Sequence, residues 1–187
     1  AFREARERFN DRMSELEDDT RSFVDFREIE EKAVVAATYE DQIASLVQTE
    51  SQHREVAIAR FEAFLARYPD LSYSSHVRFR LAELHFELAT EDWQARSAAY
   101  YAQLEDPNLP IEQLEALGEV PKRDLARSLD LYQKIIADNR DKPASERYER
   151  LDGTFLMLGF VYNDPNSVQY DEAKAKETFQ ELIRTLP

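Results

Sequence analysis

No proline occurs before position 69 and no glycine before position 118, so the opening 68 residues contain no obligatory helix breaker. The whole chain of 187 residues carries three glycines beside 33% charged side chains. Sheet and α/β proteins need glycine for tight turns and for close backbone approach. Its scarcity here predicts an all-α chain whose helices are joined by short polar turns.

Residues 1–50 read as one long amphipathic N-terminal helix. Phe2, Phe9, Leu16 and Phe23 recur every seven residues, with Arg6, Met13 and Thr20 at the alternate seam positions. That spacing draws an apolar stripe suited to a coiled coil or to packing on a neighbouring element. The stripe continues through Phe26, Ile29, Val34, Val35, Tyr39, Ile43 and Val47. Residues 48–55 are all polar, and two readings stay open there. The chain turns into a hairpin with Thr49 or Ser51 as cap, or it runs on as one long or kinked helix. Ile43 and Ala57 lie two heptads apart, so the apolar phase survives the polar stretch.

From position 51 to the end the pattern is that of shorter helices. Ala57, Phe61, Phe64 and Leu65 share a face that stops at Tyr68-Pro69, where proline disfavours α conformation in the residue before it. Helical spacing is then expected over residues 77–89, 93–104, 125–137, 145–162 and 171–185. Residues 105–122 hold Pro107, Pro110, Gly118 and Pro121, and form an irregular connector with one short helix over 111–117.

An internal repeat organises this second part. The register Ala-x3-aromatic-x2-apolar-x4-Pro occurs as Ala57, Phe61, Phe64 and Pro69, and again as Ala175, Phe179, Leu182 and Pro187. A weaker copy is Ser128, Tyr132 and Ile135, with Arg140 in place of proline. The complementary half, Leu-small-x2-aromatic, occurs as Leu158-Gly159 with Tyr162, preceded by Phe155, and less well as Leu81-Ala82 with His85. Small residues let antiparallel helices approach closely, and large ones fill the space beside them. Together these residues resemble tetratricopeptide repeats (TPR) over residues 51–187. The resemblance implies a degenerate TPR-like array of antiparallel helix pairs, forming a short right-handed solenoid. The turn at 163–169 and the connector at 105–122 depart from the family pattern.

More narrowly, residues 57–69 (AIARFEAFLARYP) and 80–86 (RLAELHF) resemble bacterial cell-envelope repeat proteins, of the Tol-system-binding and delta-proteobacterial gliding kinds. That resemblance implies an adaptor, periplasmic or associated with the outer membrane. The family's groove positions, carried over from Leu81 and Leu158, fall on His76, Phe79, Glu83, Phe86 and Glu87, then on Leu156, Phe160, Asn163 and Asp164. Such an aromatic and acidic surface suits an apolar or basic peptide of another protein. The alternative is that Phe79, Phe86 and Phe160 are ordinary core between repeats.

The net charge of −14 repels phosphate backbones and anionic lipid, so neither nucleic acid nor a membrane surface is an expected partner. No run of about 18 apolar residues is present for direct membrane insertion. The lack of cysteine excludes disulfides and thiolate chemistry and fits any compartment, the cytoplasm included. A start at Ala1 without Met and an end on Pro187 suggest a processed or excised piece of a longer array.

No cofactor, metal or catalytic site is expected. His53, His76 and His85 have no spacing that pairs them as ligands. The acidic run at residues 15–19 reads as a solvated face. Asp164-Pro165-Asn166 lacks the glycine and closing glutamate of a calcium loop. Gly153 and Gly159 fall inside a helix and cradle no phosphate. A non-catalytic scaffold for protein–protein interaction is the first reading. A structural module that self-associates through the N-terminal helix is the alternative.

Overall fold

The computed structural model describes residues 2–107 and 109–185, and the chain is all-helical among them. Helix α1 spans Phe2–Arg67, α2 Ser74–Leu104, α3 Ile111–Ala116, α4 Ala126–Asn139, α5 Leu151–Asn163 and α6 Glu172–Thr185. A single 3-10 turn covers Ala144–Glu146. The chain divides into two units, residues 1–53 and 54–187.

The first unit is helix alone, residues 48–53 of the polar stretch included. Local pairs support it: Arg27 reaches Glu30 at 2.8 Å, and Lys32 reaches Glu28 at 2.6 Å. Thr20, Thr38 and Thr49 each return the hydroxyl to the carbonyl four residues back, which satisfies the hydroxyl within the helix. Its large apolar side chains from Leu16 to Val47 are all exposed.

In the second unit, α1 ends where expected. Tyr68 N–H still donates to the Phe64 carbonyl at 2.8 Å, and Pro69 continues no further. Arg54, buried on the last part of α1, holds Glu91 at 2.5 Å and Glu87 at 3.7 Å, both on α2. Helix α2 packs on α4, α4 on α5, and α5 on α6. One core runs through them, with Phe79 and Ala82 from α2, Tyr132 and Ile135 from α4, and Phe155 and Leu158 from α5. Tyr132, Ile135 and Val161 are fully enclosed, each worth about 1.5–3 kcal/mol of apolar burial.

Small residues sit where these helices come closest. Ser128 on α4 donates its hydroxyl to the Ala82 carbonyl of α2 at 3.0 Å. Gly159 on α5 faces the ring of Phe179 on α6. Tyr162 lies beside Lys174, and Asp152 shares a small cavity with Leu182 and Thr185, so α5 and α6 are antiparallel.

Two helix bounds differ from the sequence expectation. Residues 77–89 and 93–104 belong to one helix, because Thr90 bonds its hydroxyl to the Phe86 carbonyl at 2.7 Å and the ladder passes through the polar residues 90–92 unbroken. The helix expected from residue 145 begins at Leu151. Ahead of it, Tyr148 turns inward and donates its backbone N–H to the side chain of Asn139.

Candidate partner-binding face

The nine groove candidates lie on α2, α5 and the residue following α5, and the fold treats them unequally. His76 is half-buried on the first turn of α2, stacked on Tyr73 at 5.0 Å and set edge-on to Tyr148 at 4.8 Å. It lines a polar cavity of about 560 Å³ with Asp70, Lys142 and Arg147. Phe79 is not on a groove. Its ring is buried edge-on against Tyr132 at 5.7 Å and closed over by the Arg150 guanidinium at 4.4 Å. The apolar cluster between α2, α4 and α5 outweighs exposure for a phenylalanine placed there. Glu83 is partly buried and accepts from Arg80 at 3.1 Å.

Phe86, Glu87 and Asp164 are engaged within the chain. The guanidinium of Arg123 lies 5.1 Å above Phe86 and 5.3 Å from Trp93, donates to Thr90 Oγ1 at 3.0 Å, and is ion-paired with Asp164. Such a cation is held by two aromatic faces and a carboxylate at once. The backbone around it is fixed as well. Arg123 N–H donates to the Asn166 carbonyl at 2.7 Å and Val168 N–H to the Arg123 carbonyl at 2.9 Å, an isolated parallel bridge with the α5–α6 loop. Gln169 completes the link, accepting from Leu125 N–H and donating to Asp124, both at 2.7 Å. Glu87 is the weaker of the two carboxylates on Arg54.

That leaves α5. Leu156 and Phe160, four residues apart on one face, are exposed, and Asn163 ends the same helix exposed. Phe160 meets Phe179 of α6 edge-on at 6.0 Å. Leu156 and Phe160 are therefore the open apolar part of the candidate face, while Phe79 and Phe86 are closed off.

Arg123, Trp93, Thr90 and Arg54 were not singled out in the sequence. The side-chain contacts that hold them to other elements span 28 to 41 residues of chain, and no periodic signal marks them. The lone tryptophan was the one compositional hint.

Ionisation in this unit follows burial. His85 is held below its ordinary value, by burial first and by Arg127 as well, against the opposing pull of Glu62, whose carboxylate is 3.8 Å from its Nε2. Tyr132 and Tyr148 are pushed up, chiefly by burial. Among the described residues no three His, Asp or Glu side chains gather in a way that suits a metal ion, and no helix is long and apolar enough to cross a membrane. No protein-family model, curated protein or solved structure matches this chain.

Proposed function

We propose that this chain is a non-catalytic scaffold for protein–protein interaction, built from TPR-like helix pairs, whose open face on α5 receives another polypeptide. One observation carries the reading. The small residues of the repeat register, Ala82 with Ser128 and Gly159 with Phe179, lie at the close approaches between helices, while Leu156 and Phe160 stand exposed on the same array. Exposed neighbouring apolar residues on a packed helix are more readily accounted for by a partner than by folding. The net charge of −14 favours a partner whose flanks are basic. Membership of a bacterial cell-envelope complex, periplasmic or at the outer membrane, rests on the resemblance of residues 57–69 and 80–86 alone.

The test is photocrosslinking in the native host, with a benzophenone amino acid at Leu156 or Phe160 and, as control, at exposed Leu71. Discrete protein adducts from α5 positions and none from Leu71 are expected. No adduct from either α5 position would refute the scaffold reading.

The alternative, self-association through the N-terminal helix, is favoured by a separate observation. Phe23, Phe26, Ile29, Val34, Val35, Tyr39 and Ile43 are all exposed, and none of the described residues of that unit is buried. Light scattering of the full chain over a concentration series tests it. An oligomer that Phe26→Glu with Ile29→Glu reduces to monomer supports this reading, and a monomer at every concentration removes it.

A further inference from the structure

The end of α1 carries the register of the second helix of a pair. In the last pair, Gly159 on α5 faces the ring of Phe179 on α6, and Ala175 and Leu182 of α6 pack in the same core. Position for position, Ala57, Phe61 and Phe64 correspond to Ala175, Phe179 and Leu182, and to Ser128, Tyr132 and Ile135 of α4. On α4 these places are closed: Ser128 meets Ala82 of α2, and Tyr132 and Ile135 are 0% exposed. On α1, Ala57, Phe61 and Phe64 stay half-buried. Another side of α1 meets α2, where Glu62 and Leu65 line a cavity with Leu81 and His85. A copy of the first-helix register also stands unused in α1. Val35-Ala36-x2-Tyr39 repeats the Leu158-Gly159-x2-Tyr162 of α5, with Val35 54% and Tyr39 62% exposed.

We propose that two copies of this chain exchange that segment: residues 29–43 of one α1 lie antiparallel on residues 54–67 of the other, Ala36 facing Phe61 as Gly159 faces Phe179. Residues 48–53 are helix and not the turn of a hairpin, so a second copy rather than the same chain supplies the segment. Ala36, Ile43, Ala57 and Phe64 keep one heptad phase, so giving and receiving residues belong to one stripe. A two-fold axis then fills both sites at once, the pattern of an exchanged element. With Ala36 against Phe61 the axis passes between Gln48 and Thr49, inside the all-polar stretch. The charges agree. Residues 29–43 are net −3, with Glu30, Glu31, Glu40 and Asp41 against Lys32, whereas residues 54–67 are net +1, with Arg54, Arg60 and Arg67 against Glu55 and Glu62. Two such sites, each closing over rings of Tyr39, Phe61 and Phe64, bury on the order of the ~1,600 Å² of a stable complex. This goes beyond the scaffold reading and rests on the self-association alternative, to which it gives a direction and a register.

The chain has no cysteine, so introduced ones report alone. Ile29 and Arg67 hold the places of Asp152 and Thr185, which line one small cavity with residues of α5 and α6. Both are exposed, and replacing either leaves the fold intact, which circular dichroism verifies. Full chains carrying Ile29→Cys are mixed with mass-tagged full chains carrying Arg67→Cys and treated with a short bis-maleimide. The expected product is a crosslinked dimer of one of each, absent from either chain alone and lost when Ala36→Glu and Ile43→Glu are added to both. Crosslinks between two Ile29→Cys chains mean a parallel pair and overturn the proposal. An internal crosslink at monomer mass in the doubly substituted chain means a hairpin and overturns it too. No crosslink from a chain that light scattering finds oligomeric overturns this register and leaves self-association standing, whereas a monomer at every concentration removes both.

Discussion

A methyl group added to Gly159 would press into the edge of the Phe179 ring, nearest its Cε1 and 2.6 Å from its Cζ and 2.8 Å from its Cδ1. Two effects oppose each other on substitution to alanine. Helix propensity gains about 1 kcal/mol, whereas forcing a ring aside in a packed interface costs about 1–3 kcal/mol. The ring is confined by Phe160 and by α5, so the clash prevails. Gly159→Ala is expected to lose about 1 kcal/mol in urea denaturation, and Phe179→Leu in the same background to restore part of it. A stabilised Gly159→Ala would contradict the close approach. The same substitution at Gly153, with nothing within 4 Å of the added carbon, carries no clash and gains stability.

Asn139 is buried at the end of α4 with its amide used throughout. Its Nδ2 donates to Ser75 Oγ at 3.1 Å and to the Ile135 carbonyl at 2.8 Å, while its Oδ1 accepts from Tyr148 N–H at 3.1 Å and from Lys142 at 3.2 Å. One side chain thus fastens α2, α4 and the approach to α5. Asn139→Leu keeps the volume and strands these partners, so a loss of about 3 kcal/mol is expected. Thermal and chemical unfolding measure it. A loss under about 1 kcal/mol would show that water replaces the amide.

Arg123 and Asp164 join two loops across 41 residues of chain. Removing one partner leaves the other charge only slightly exposed and uncompensated, at about 3 kcal/mol. Arg123→Gln is expected to raise hydrogen exchange in the α5–α6 loop and to release Trp93, with a red-shifted emission. The double variant Arg123→Gln with Asp164→Asn should be less destabilised than the two single variants summed. Strict additivity would mean that the pair is not coupled.

The pH response has a definite sign at His85. The folded chain holds its imidazole below the ordinary value of 6.5, so the unfolded chain binds the proton first. Stability from this group is complete above 6.5 and is lost as pH falls below it toward the folded value. His85→Gln should therefore flatten the fall in stability between about pH 7 and 5 relative to the parent. Identical pH profiles for the two proteins would contradict the assignment. The buried tyrosines act at the other extreme. Tyr132 and Tyr148 resist ionisation in the fold, so their contribution is present below 10 and declines as pH rises above it.

The helices that were legible in the sequence are those with local punctuation. Tyr68-Pro69 ends α1, and Asp171, whose carboxylate accepts from Lys174 N–H at 3.0 Å, opens α6. Polar residues alone misled. Thr90, Glu91 and Asp92 resemble a break, yet Thr90 satisfies itself within the helix and Glu91 is held by Arg54. On the candidate face, the repeat resemblance named Leu156 and Phe160 but had no means of separating them from Phe79 and Phe86. That distinction depends on Tyr132, Arg150 and Arg123, which reach these rings from other elements. Periodicity reports which side of a helix is apolar, and tertiary packing determines how much of that side stays open.

The connector after α2 returns to the helix it left. Trp93 Nε1 donates to the Pro121 carbonyl at 2.9 Å and Arg96 to the Lys122 carbonyl at 3.1 Å, while Tyr100 reaches the Gly118 carbonyl at 3.4 Å, with Gly118 supplying the left-handed turn at φ 71°. The excursion is clamped at its base. Lengthening a closed loop costs only about 0.6 kcal/mol for each doubling, so the stretch between positions 105 and 117 can accept a guest peptide or a small domain with little effect on the pairs beneath. It is the natural place to graft a reporter on this chain.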